Sequence, residues 1–144
     1  MGSILAISIS QEKSVKKRAV SSANFIANHG IEGDAHAGMG LRQVSLLSIE
    51  SINKMRKKGL DVGPGDFAEN ITTEGMNLLE LKIGSRLLLG DRTELKITQI
   101  GKVCHERCAI YYQAGDCVMP REGIFARVIK DGTVKSGDDI NVIL

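Results

Sequence analysis

The chain has 144 residues, enough for one domain whose core needs no disulfide or metal staple. Hydrophobic residues make up 42%, charged residues 25% and aromatic residues 3%; tryptophan is absent and the net charge is +2. Such a composition is that of an ordinary globular protein and excludes both a base-stacking nucleic-acid platform and a strongly basic binding face.

The opening "MGSILAISIS" lacks a basic leader ahead of a long apolar run, and no stretch of about 18 apolar residues occurs that would span a bilayer. The expectation is a cytoplasmic protein that binds neither nucleic acid nor membrane, with its thiols reduced. "SILAISIS" sets Ile4, Ala6 and Ile9 among serines and reads as a half-buried opening strand. "QEKSVKKRAV" follows with Lys13, Lys16, Lys17 and Arg18, a solvated basic loop or hairpin in the simpler reading and an anion contact in the other.

"GIEGDAHAGMGLRQVSLL" interleaves glycines with Asp34, His36, Arg42, Gln43 and Ser45. Glycines let a backbone wrap closely round a ligand, and a guanidinium beside amides suits phosphate or carboxylate; a surface loop is the equal alternative. A strand around Val44 to Leu47 then runs into a helix near Ser48 to Lys58, with Ile49, Ile52 and Met55 on one face, basic residues in the last turn and Gly59 as the stop.

In "PGDFAENITTEGMNL" a strand is expected to carry Glu69, Ile71 and Thr73 on one side and Asn70 and Thr72 on the other. That makes Glu69 and Asn70 either a polar anchor at a barrel mouth or simply edge-strand polarity. "SRLLLG", "TELKITQI", "IFARVIKDG" and "DDINVIL" are further short β-rich runs, with Gly84 and Gly137 at bends that lead into strands. Many short strands between turn signals predict a barrel or sandwich in a single domain spanning 1–144.

"CHERCAIYYQAGDC" holds all three cysteines, Cys104, Cys108 and Cys117, in the pattern C-x3-C-x8-C. Thiolates bind metals and carry sulfur as persulfide, but this spacing is no standard zinc or ferredoxin arrangement, so a set of small core residues is an equal reading. His105 is either a further ligand or, more simply, a solvent-facing residue.

Five segments in order, "GIEGDAHAG", "RQVSLLSIESI", "PGDFAENITTEGMNLLELKIGSRLLLG", "TQIGKVC" and "GIFARVIKDGTVKSGDDI", resemble the small stand-alone MOSC domains, relatives of the C-terminal domain of molybdenum cofactor sulfurase. The resemblance implies a mainly β fold, a MOSC-type β-barrel with a few short helices. It also implies handling of molybdenum cofactor, a phosphate-bearing pterin (molybdopterin) with a dithiolene-bound metal, or delivery of sulfur to metal centres. Cofactor-facing positions then map onto Asp34, His36, Arg42, Gln43 and Ser45, onto Glu69, Asn70 and Thr72, and an anion contact onto Arg121.

One position departs from the family pattern. Many MOSC domains place a cysteine after an arginine ahead of the strand matching "GIFARV", whereas here "MPREGIFARV" puts Glu122 after Arg121. A carboxylate cannot carry sulfane sulfur, so Cys104, Cys108 and Cys117 become the candidates for sulfur transfer and for metal ligation. "GKVC" best supports Cys104, while Cys117 is nearest Glu122 in the chain, and Arg107 or Arg121 would activate a thiol there. The expected partners are a cysteine desulfurase-type sulfur donor and a molybdoenzyme acceptor. The alternatives are a non-catalytic cofactor store with a structural metal, and a cofactor-dependent reductase of N-hydroxylated compounds, which the loss of the usual thiol disfavours.

Overall fold

The computed structural model describes residues 2–12, 16–38, 40–101 and 122–143. The strands are β1 (Gly2–Ile9), β2 (Arg18–Val20), β3 (Ser22–Ile26), β4 (Gly30–Ile31), β5 (Val44–Ser48), β6 (Ile71–Glu74), β7 (Arg86–Leu89), β8 (Thr93–Ile100), β9 (Ile124–Lys130), β10 (Gly132–Lys135) and β11 (Asp139–Ile143). The α-helix α1 (Ile49–Lys57) is joined by short 3-10 turns at Gly40–Arg42 and Leu78–Glu80.

Seven strands run in the order β11-β7-β8-β9-β5-β6-β1, and a β11–β1 pairing closes them into a barrel; β2 adds to the side of β1. A second small sheet, β10-β3-β4, packs its Phe25, Ile31 and Val134 into the same core. All pairings are antiparallel except β5 with β6. Parallel neighbours need a crossover, and α1 lies within the connection that supplies it.

The helix forms where the sequence places it. Ser48 caps it, its hydroxyl accepting the Ser51 N–H at 3.1 Å, and Gly59 follows it at φ 93°. Ile49, Ile52 and Met55 are buried against Leu47, Val62, Phe67 and Phe125, a second core on the outside of the barrel wall. The barrel interior is filled by alternate residues such as Ile4, Leu46, Ile71, Leu95, Ile97, Ile124 and Ala126, all fully buried. Gly84 and Gly137 take φ 95° and 92° at the turns into β7 and β11, as their positions ahead of strands predict.

Two expectations change. β6 begins only at Ile71, because Ala68 takes a left-handed φ of 62° and Glu69 closes a turn instead of entering the ladder. The basic segment is not wholly solvated: Lys16 and Arg18 are exposed, but Lys17 is buried.

Candidate functional site

The described residues expected to face a cofactor gather at one end of the barrel, and Glu122 lies at the other. Strand registers bring Ser45, Asn70 and the Ser8–Ser10 end of β1 together, while Ser48, Thr73 and Ile4 occupy the opposite end.

At the first end, Asn70 joins three strands. Its Oδ1 accepts the Ser45 N–H at 3.0 Å and the Ser45 hydroxyl at 3.2 Å, and its Nδ2 donates to the Ser8 carbonyl at 3.1 Å. Glu69 is fully buried; its carboxylate accepts the Gly65 N–H at 3.0 Å, the Phe67 N–H at 3.2 Å and the Thr72 hydroxyl at 2.8 Å. Burial pushes its pKa above the ordinary carboxylate value, against the pull of those donors. Gln43 is buried too and accepts the Val128 N–H at 3.0 Å.

Beside them lies an ion pair that no local pattern in the chain announces. The Lys17 ammonium donates to Asp34 Oδ1 at 2.8 Å and to the Ser10 hydroxyl at 3.0 Å, with both charged side chains fully shielded from solvent. Asp34 also accepts the Ser10 N–H at 3.0 Å and the His36 N–H at 3.1 Å. Burial would raise the Asp34 pKa, but the hydrogen bonds from His36, Lys17 and Ser10 and the Lys17 charge outweigh it and hold the carboxyl far below the usual range. The His36 imidazole stands 3.6 Å from Asp34, with Nδ1 buried and without a hydrogen bond. At this end Asp34, Gln43, Ser45, Glu69, Asn70 and Thr72 thus hold the loop 30–38, the turn 63–69 and β1 to the barrel.

Arg42 differs from its neighbours. It is exposed, lies 5.5 Å above the Phe125 ring and donates through Nε to Gln99 at 3.0 Å. Gln99 in turn donates to the Gly101 carbonyl at 2.7 Å, and the Gly101 N–H donates to the Gly123 carbonyl at 2.7 Å. The two described ends of segment 102–121 are therefore one hydrogen bond apart, with Arg42 linked to them. Cys104, His105, Arg107, Cys108, Cys117 and Arg121 lie outside the described residues.

The opposite barrel end opens into a cavity of about 460 Å³ between the start of α1 and the turn after β6. Ser48, Ser51, Lys54, Asn77 and Glu122 supply its polar atoms, and Met76, Leu78 and Leu79 its apolar wall. Glu122 Oε1 accepts the Ser51 hydroxyl at 2.6 Å, and Lys54 straddles both carboxylate oxygens at 3.0 and 3.1 Å. Glu50 accepts the Gly75 N–H at 3.1 Å and so ties the turn to the helix. Sequence reasoning marked Glu122 but missed Ser51 and Lys54. Their three-residue spacing on α1 was the available signal, and it reads equally as a solvated helix face. The described residues contain no group of three or more histidine, cysteine or acidic side chains placed to hold a metal.

A small closed barrel with a helix packed on its wall and a polar cavity at one end defines the class: a closed β-barrel domain. The chain belongs to the MOSC domain family, whose model matches residues 32–141. Among solved structures it is similar to YuaD from Bacillus subtilis, at 24% identity over 98% of this chain and 94% of that one, TM-score 0.82. YiiM from Geobacillus stearothermophilus matches at 15% identity over 100% of this chain and 76% of that one, TM-score 0.74. YiiM from Escherichia coli matches at 18% over 100% and 70%, TM-score 0.71. No curated protein matches the chain. No helix of the described residues is long and apolar enough to cross a membrane.

Proposed function

We propose that this MOSC domain binds molybdenum cofactor or a related pterin species at the α1 end of the barrel and passes sulfur through its cysteine segment. The observation that carries the reading is a convergence. The α1 cavity, Glu122 and the hydrogen-bonded pair Gly101 and Gly123 meet at one place, so the segment whose sequence holds Cys104, Cys108 and Cys117 leaves and rejoins the described barrel beside the cavity.

The donor set fits the group. The volume lies within the range of small-molecule sites, roughly 300–1,000 Å³. Met76, Leu78 and Leu79 offer an apolar wall to a flat ring, and Ser48, Asn77 and Glu122 offer acceptors and donors at its edge. Arg42 and Arg121 are the proposed contacts for a terminal phosphate. Asp34, His36, Gln43, Ser45, Glu69, Asn70 and Thr72 support the site by shaping the barrel, since their described hydrogen bonds are internal. When bound, molybdenum cofactor supplies a dithiolene-held metal. The chain's own part is to orient the pterin and to present thiolates, one of which takes sulfane sulfur from a cysteine desulfurase-type donor as persulfide for a molybdoenzyme acceptor.

The test is native mass spectrometry of protein purified without oxygen, paired with elemental analysis for Mo, W, Zn and Fe. A bound pterin with Mo or W supports cofactor handling, and steps of about 32 Da on Cys104, Cys108 or Cys117 after sulfur donation support the carrier role. Protein that takes up neither pterin nor sulfur refutes the proposal. Zn alone at the cysteines would instead make them a structural centre.

A further inference from the structure

Strand β11 runs past one of its two partners. Its pairing with β7 continues to Ile143 with Arg86, whereas its pairing with β1 stops at Ile140 with Gly2. Hydrogen bonds in an antiparallel ladder alternate, so the N–H and C=O of successive residues face opposite neighbours. The Gly90 N–H donates to the Asp139 carbonyl and the Ile4 N–H to the Asp138 carbonyl, each at 2.8 Å. Asp139, Asn141 and Ile143 therefore face β7, and Asp138, Ile140 and Val142 face β1. The register places the residue opposite Val142 two positions ahead of Gly2, where β1 no longer runs. The Val142 N–H and C=O thus have no strand partner on that side among the described residues.

The Val142 side chain is short of cover as well. It shares a face with Ile140 along β11 and with Leu87 across the ladder; both are fully buried, yet Val142 is 43% exposed. It borders a cavity of about 490 Å³ whose opposite wall is Gly75 and Met76, the residues that lie against Gly2. The cavity therefore follows the line of β1 beyond its first residue. Met76 and Leu81, which pack on the barrel core, give it an apolar floor, and the exposed Glu80 and Lys82 lie beside them.

We infer that this slot takes one extended segment of a partner protein, which adds to β11 antiparallel and in line with β1. A backbone donor and acceptor on one residue call for another backbone, and an exposed strand edge is recognised by an added strand. The residue opposite Val142 shares its face and meets Met76 and Leu81, so it is apolar; its two neighbours point to solvent and are polar. A second copy of this chain fits less well, because each of its described strands already carries a neighbour, whereas the slot continues the place of a single strand. Gly75, Met76 and Asn77 line both this slot and the α1 cavity. A segment bound here holds its owner beside that cavity, whatever the cavity binds.

The experiment titrates the isotope-labelled full chain with short capped peptides that alternate threonine with valine, isoleucine, leucine or phenylalanine, followed by NMR and amide hydrogen exchange. At a peptide concentration about ten times the dissociation constant, exchange of the Val142 amide is expected to slow about tenfold, while that of Asn141, bonded to β7 throughout, changes little. The same peptide methylated at the backbone nitrogen that faces Val142 is expected to bind at least about tenfold weaker. Val142→Pro removes the N–H that faces the slot and none that bonds β7, so it is expected to abolish binding in a folded barrel. Should that variant fail to fold, the methylated peptide on the wild-type chain decides alone. The inference is overturned if no peptide of the set binds, if methylation leaves binding unchanged, or if the shifts centre on the β2 edge. Protection of the Val142 amide that grows with protein concentration in the absence of peptide overturns it too, by assigning the slot to a second copy.

Discussion

An ammonium and a carboxylate with no solvent contact stay charged only if each is fully engaged, and Lys17 and Asp34 engage each other, Ser10 and the His36 N–H. Asp34→Asn leaves the Lys17 charge buried without its counter-charge. We expect a loss of about 3–5 kcal/mol in urea unfolding. Lys17→Met with Asp34→Leu should recover most of that loss, because both charges go together. A single variant that unfolds like wild type would show that the pair is solvated. The pH dependence has a definite sign. The folded Asp34 pKa is depressed, so its contribution is present above the ordinary carboxylate range and is lost as pH falls below it. Glu69 has the opposite sign: its pKa is raised, so its contribution is greatest in acid and is lost as pH rises through the folded value. As the pH is lowered towards 4.5 the melting temperature of wild type should therefore climb relative to that of Glu69→Gln. Parallel curves for the two proteins would mean that the Glu69 carboxylate titrates normally.

At the scale of elements, the turn 63–69 shows how local and distant requirements meet. Gly65 has φ 88°, and a Cβ built there would collide with the Lys17 carbonyl oxygen, because the two backbones approach closely: the Lys17 N–H donates to the Gly65 carbonyl at 2.8 Å. Gly65→Ala thus meets both a left-handed backbone and a backbone atom that cannot step aside. A loss of roughly 2–4 kcal/mol is expected by thermal melting, against about 1 kcal/mol for removing the α1 cap with Ser48→Ala. If Gly65→Ala melts within a degree or two of wild type, the turn is not held as described. The same contrast explains what the sequence disclosed. Helix α1 was legible because its signals are local: the Ser48 cap, apolar residues at spacing three, and Gly59. Strands β1, β7, β8, β9 and β11 were legible from β-rich runs bounded by turns. Strands β2, β3, β4 and β10 are short and mixed in polarity, so no periodicity marks them. The burial of Lys17 depends on Asp34 across 17 positions, and the late start of β6 depends on the left-handed Ala68; neither leaves a pattern in a local window. Family resemblance gathered the polar residues into one set, and the strand registers bring Ser45, Glu69, Asn70 and Thr72 of that set to one barrel end, with Glu122 at the other.

The barrel as a whole is closed by its own termini. Among the described residues β1 meets β11 at two register pairs, Gly2 with Ile140 and Ser3 with Asp139, reinforced by the Ile4 N–H to Asp138 carbonyl bond at 2.8 Å and the Gly137 N–H to Ile4 carbonyl bond at 2.7 Å. By contrast β8 and β9 share six register pairs, with Leu95, Ile97, Ala126 and Val128 fully buried along the ladder. A closed sheet opens where its ladder is shortest and its sequence separation longest, because contacts between distant residues return the most chain entropy when broken. The β1–β11 seam is therefore expected to open before the β8–β9 ladder. Native-state hydrogen exchange resolves the two. The Ile4 amide should exchange at least about tenfold faster than those of Leu95 and Ile97, and Ile140→Ala, which hollows the core at the seam, should speed Ile4 far more than Leu95. Equal acceleration at both places would mean that the barrel unfolds in a single step and that the seam has no separate opening.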